Sequence, residues 1–121
     1  MTGDRGPTRV YVHLPAGLDP AEWRRRHERD EVPDASPYGL DRMRRYGVAV
    51  RLRAPLNQAA VQRVAGSVRH RTGGLEIVEA VADLRHGRGA DAVLCYDERT
   101  GVPAALLGGA PVVTGIGWAF A

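Results

Sequence analysis

Four short apolar runs punctuate the chain, and between them apolar residues recur at three- and four-residue spacing. Thr8 to Leu14 alternates Val10, Val12 and Leu14 with Tyr11 and His13, and Pro15-Ala16-Gly17 breaks it. Val48 to Leu52, Ala92 to Tyr96 and Pro111 to Thr114 are three further runs of strand character. Asp19-Pro20-Ala21-Glu22 is a helix start, with Asp19 as cap and Pro20 at the first helical position, and the helix runs to about Arg29. Ser36-Pro37 starts a second helix by the same logic, carrying Leu40 and Met43 inward and ending at Tyr46-Gly47. Asn57 to Arg71 places Ala60, Val61, Val64, Ala65 and Val68 on one helical stripe, and Ile77 to Leu84 repeats the pattern with Ile77, Val78, Val81 and Leu84. His86-Gly87-Arg88-Gly89 turns the chain into the Ala92 run. Pro103 to Leu107 is a short helix ended by Gly108-Gly109.

The order strand, helix pair, strand, helix, helix, strand, short helix, strand predicts an α/β fold. It is a Rossmann-like three-layer sandwich with a mostly parallel sheet of four strands, or five if Leu75 to Val78 is extended. Residues 1–121 form one domain in this reading, with 1–7 a loose polar lead-in.

Composition narrows the classes. The 44% apolar and 26% charged content is that of a globular chain, and no apolar run approaches the roughly 20 residues of a membrane helix. All 17 basic residues are Arg, which reads as a coding bias rather than selection for guanidinium chemistry. Up to Arg53 the arginines are interleaved with acids, whereas a nucleic-acid footprint is one-sided, so no nucleic-acid partner is expected. The Arg24-Arg25-Arg26 run is a solvated helix face or, in the sharper reading, a peripheral contact with phosphate or anionic lipid. Cys95, alone in an apolar strand, and the absence of a basic-then-apolar leader suggest a reduced, cytoplasmic protein.

Several chemistries lack their residues. The loop after the first strand, Pro-Ala-Gly-Leu-Asp, is not the Gly-x-Gly-x-x-Gly of a dinucleotide site. The phosphate loop, paired Cys or Cys-His metal spacings, the Gly-x-Ser-x-Gly elbow and a zinc-protease His pair are also missing, so no metal and no cofactor are expected. What remains is the rim at the carboxyl ends of the strands: Leu14 to Asp19, Arg53 to Asn57, Tyr96 to Gly101 and Thr114 to Trp118. Asp97, Glu98, Arg99 and Thr100 are its densest polar group, able to hold sugar or polyol hydroxyls by charge-assisted hydrogen bonds. Equally, Asp97 or Thr100 can simply cap the following helix. His13 is either a structural strand-end histidine or a base. Trp118 and Phe120 fit core or interface positions better than a sugar platform.

The stretch Ala-Asp-Ala-Val-Leu-Cys-Tyr-Asp-Glu-Arg-Thr-Gly-Val-Pro-Ala-Ala-Leu from Ala90, with Ala-Pro-Val-Val-Thr after it, resembles the N-terminal domain of family 4 retaining glycosyltransferases of the GT-B fold. There an "ADVVHAHD..TGLPA" segment precedes a "PVVLTVHG" strand. The resemblance covers Asp91 to Thr114 and, more loosely, Thr8 to Asp19. It implies one half of a two-domain GT-B enzyme: this half shapes the acceptor site, and a C-terminal domain, absent from this chain, binds the nucleotide-sugar without a metal. The chain would then be an inactive fragment, with Gly17, Asp97, Glu98, Arg99, Thr100, Gly115 and Gly117 toward substrate. The family's histidines are not matched, since Cys95 and Tyr96 stand at the earlier pair and Gly117 at the later one. The second expectation is a non-catalytic flavodoxin-like domain docking a partner through Asp97 and Arg99. An apolar face around Ile116 to Phe120 would favour self-association.

Overall fold

The structure, a computed structural model, describes residues 6–115. Ten elements follow in order: β1 (Thr8–His13), α1 (Pro20–Glu28), a 3₁₀ segment (Pro37–Tyr46), β2 (Val48–Leu52), α2 (Ala59–Arg71), α3 (Ile77–Ala82), α4 (Leu84–Arg88), β3 (Ala92–Cys95), α5 (Glu98–Leu107) and β4 (Val112–Thr114). The four strands form one parallel sheet in the order β2-β1-β3-β4. This is the α/β, Rossmann-like arrangement that the alternation of strand and helix patterns predicts. Leu75 to Val78 adds no fifth strand, because Ile77 already begins α3.

Strand alternation sorts the side chains of β1 onto two faces. Tyr11 and His13 turn toward the helices of the β2–β3 connection, where Tyr11 bonds Asp83 and stacks on His86. Val12 and Leu14 turn to the other face and line an apolar groove with Tyr38, Leu40 and Leu94. Val93, Cys95 and Ala104 form a small core between β3 and α5.

Three local expectations are corrected. The Ser36–Tyr46 stretch is not an α-helix, because Tyr38 and Gly39 take left-handed conformations at φ 58° and 65°. Ser36 Oγ accepts the Asp41 amide at 2.8 Å, so its hydroxyl serves a residue five places on and not the first turn. His86 to Arg88 is helix rather than turn. Finally α5 begins at Glu98, five residues before Pro103, since Asp97 Oδ1 accepts the Arg99 amide at 3.0 Å and caps the helix there.

The apolar stripes are also narrower than their spacing suggests. Ala65 is the one fully buried side chain of α2, and Val64 is exposed. In and around α3 the pattern inverts: Val81 is 54% exposed, while Glu76, Glu79 and Asp83 are buried. The inversion has a cause in the neighbouring arginines.

Candidate functional site

The Tyr96–Gly101 corner folds onto itself. Asp97 is buried, and besides capping the Arg99 amide it takes the Arg99 Nε at 2.9 Å. Thr100 is buried and donates its hydroxyl to the Asp97 carbonyl at 3.0 Å. Asp97, Arg99 and Thr100 therefore direct these bonds at one another, as a capping arrangement does, and Glu98 lies half-buried beside them. At Gly115 a Cβ would strike the Tyr96 carbonyl, so its missing side chain lets β4 approach the end of β3; its amide donates to the Cys95 carbonyl at 3.2 Å. Gly117 and the Ile116 to Phe120 face lie outside the described residues.

His13 ends β1 beneath the rim, 3% exposed, its ring edge-on to Tyr11 at 5.3 Å. Burial, helped by the positive Arg53, pushes its imidazole down to about 4, so at neutral pH it carries no charge. The Cys95 thiol is pushed up to about 11 by burial, which makes it a packing group rather than a nucleophile at neutral pH.

An open cleft of about 280 Å³ lies one strand away, at the carboxyl ends of β1 and β2. The Pro15–Leu18 loop forms one wall, Arg53 to Leu56 another, and Gln62, Ala65, Arg69 and Glu79 the side toward the helices. Gly17 thus faces a cavity, in a loop that takes φ 93° there and closes through a Leu18 amide to Pro15 carbonyl bond at 3.2 Å. The sequence brings Gly17 and the Arg53–Leu56 rim together here; it does not bring Asp97 to Thr100 into the lining.

Beneath the cleft sits a buried ionic network. Arg53, 6% exposed, donates through Nη2 to Glu76 Oε1 at 2.7 Å and to the Leu14 carbonyl, and its Nε lies 3.4 Å from Asp83 Oδ2. Tyr11 supplies Asp83 Oδ1 with a hydroxyl at 2.9 Å. Arg69 pairs with Glu79 from above. Burial raises the Glu76 and Asp83 carboxyls above the ordinary carboxylate range, with Arg53 pulling the other way on both. Arg53 Nη1 and Glu79 Oε2 have no hydrogen-bond partner among the described residues. Of these groups Arg53, Arg69 and Glu79 line the cleft, while Glu76 and Asp83 lie outside the lining and pair with Arg53.

Sequence reading misses Glu76, Glu79 and Asp83 because Ile77, Val78 and Val81 offer a competing apolar stripe. A signal was present: the acids stand three and four residues apart, on one helical face. Among the described residues no group of His, Cys, Asp and Glu is placed to hold a metal ion, and no helix is long and apolar enough to cross a membrane.

No protein-family model, curated protein or solved structure matches the chain.

Proposed function

We propose that this Rossmann-like domain is the acceptor-side half of a sugar-transferring enzyme and that the cleft between β1 and β2 receives a hydroxyl-rich acceptor. The glycosyl group would come from a nucleotide-sugar held by a second domain, so the 121-residue chain alone binds without turnover. One observation carries the reading: a cleft at the carboxyl edge of a parallel sheet, walled by a glycine loop, Gln62, Arg69 and a buried acid–arginine network. Gln62 can donate and accept, the part-exposed Arg69 donates and Glu79 accepts, a mixed set that hydroxyl groups match. The likeness over Asp91 to Thr114 supports the same class.

Saturation-transfer NMR with hexoses, inositol and a hexose phosphate tests it. Contact with the uncharged probes, weakened about tenfold by Arg69→Ala, is the expected result. No contact with the uncharged probes, or contact unaffected by Arg69→Ala, would overturn the assignment of the cleft. Release of nucleotide from a nucleotide-sugar by the chain alone would overturn its role as a non-catalytic half.

A second reading, a flavodoxin-like interaction domain, is favoured by Tyr38 and Tyr96. Their rings stack at 4.7 Å, both about half exposed, over the apolar groove of Val12, Leu14 and Leu94. The Asp97 and Arg99 corner suits docking less well, since those two groups bind each other.

A further inference from the structure

Glu76 touches three parts of the rim at once. Its Oε1 accepts the Ala16 amide at 3.0 Å and Arg53 Nη2 at 2.7 Å. Its own amide donates to the Arg99 carbonyl at 2.9 Å, a carbonyl that Pro103, lacking an N–H four residues on, leaves unclaimed within α5. The backbone of Glu76 is thus anchored to α5 whatever its side chain does. Among the described residues its carboxylate is the side-chain group bonded to the Pro15–Leu18 wall of the cleft, while Arg53 holds the Leu14 carbonyl just before that wall.

We infer that Glu76 is a proton-operated latch: ionised, it clasps Ala16 and fixes the cleft wall, and protonation of its carboxyl releases that wall. A carboxylate accepting from an amide and a guanidinium at one oxygen makes two charge-assisted bonds, and the neutral acid accepts both weakly. Arg53 survives the release, because the Leu14 carbonyl and Asp83 continue to hold it. The groups around the latch are unevenly disposed toward its charge. Arg53, just after β2, favours the ionised form, as does Arg99 near the start of α5, while Arg69 of α2 is itself paired with Glu79. Burial and Glu79 oppose it, Asp83 and Asp97 are the other buried acids at this end of the sheet, and His13 and Cys95 carry no charge at neutral pH. Burial raises the Glu76 carboxyl above the ordinary range, which moves the switch toward mild acidity.

The latch shapes the cleft assigned above to an acceptor, but its readout is the free protein, so it stands or falls without any sugar present. In the isotopically labelled full chain, the Ala16 amide shift and the Glu76 side-chain carboxyl carbon should titrate together, with a midpoint above the ordinary glutamate value. Protection of the Ala16 amide from exchange, corrected for intrinsic rate, should fall roughly tenfold across the same step, the equivalent of one hydrogen bond. The Val12 amide within the sheet should keep its protection. Glu76→Gln should abolish the Ala16 titration, and Glu79→Gln should preserve it. A flat Ala16 shift in the unsubstituted chain, a step at a different midpoint from the Glu76 carboxyl, or one that persists in Glu76→Gln would each refute the latch. Because the two wild-type resonances are compared directly, the test stands even if Glu76→Gln fails to fold.

Discussion

Tyr11 donates its phenolic hydrogen to Asp83 Oδ1 at 2.9 Å, tying an interior strand of the sheet to the junction of α3 and α4. Both groups are buried, and burial raises both above their ordinary values. Tyr11→Phe leaves the Asp83 carboxyl without this donor at almost unchanged volume. The expected loss is about 1–3 kcal/mol in urea unfolding. A change within measurement error would show that the bond contributes nothing net.

Arg53 is the cation on which Glu76 and Asp83 both depend. Arg53→Met strands two buried carboxyls and should cost about 3–5 kcal/mol. Arg53→Lys should recover only part of that, because an ammonium cannot reproduce the fork that reaches the Leu14 carbonyl and both acids. Thermal unfolding of the two variants side by side checks the ranking, and equal stability of Lys and Arg at this site would contradict it.

His13 and the carboxyls pull stability in opposite directions with pH. Because His13 is pushed down to about 4 in the fold, the unfolded chain binds its proton first, and stability is lost as pH falls from about 6.5 toward about 4. Glu76 and Asp83 are raised, so their contribution is greatest in acid and is lost as pH rises through their folded values. His13→Gln removes the first effect and leaves the second. Its stability relative to the parent should therefore rise by on the order of 2–3 kcal/mol between about pH 6.5 and about pH 4. Parallel pH profiles for parent and variant would rule this out.

Gly101 packs against Thr114, where a Cβ would overlap the threonine side chain well inside van der Waals contact. Gly101→Ala must push β4 away from α5 and should cost about 1–3 kcal/mol. At Gly17 a Cβ meets nothing within 4 Å, so Gly17→Ala pays only for its φ of 93°, about 1 kcal/mol. Chemical denaturation of both should find the Gly101 substitution the more damaging.

Much of this architecture was legible from the chain. Alternation in Thr8 to Leu14, the Asp19-Pro20 start of α1 and the glycine stop at Gly108 are local signals, and each stands where its chemistry places it. Pro103 suits a first helical position, yet Asp97 caps six residues earlier and the proline is carried inside α5. The 3₁₀ segment departed from its helical pattern at Tyr38 and Gly39, where two left-handed residues interrupt a sequence with good capping signals. The site was legible only in part. Gly17 and Arg53 were on the predicted rim, but the acids that face Arg53 were hidden behind the apolar spacing of Ile77, Val78 and Val81.

Periodicity and turn chemistry act over a few residues, and on their own they determined the four strands, most of the helices between them and the parallel α/β class, and offered Asp97 as one of two caps at the corner after β3. Which face of α3 turns inward was decided only in three dimensions. Two arginines, one just after β2 and one on α2, distant in the chain, meet Glu76, Glu79 and Asp83 there, so these acids are buried as paired groups while Val81 stays exposed.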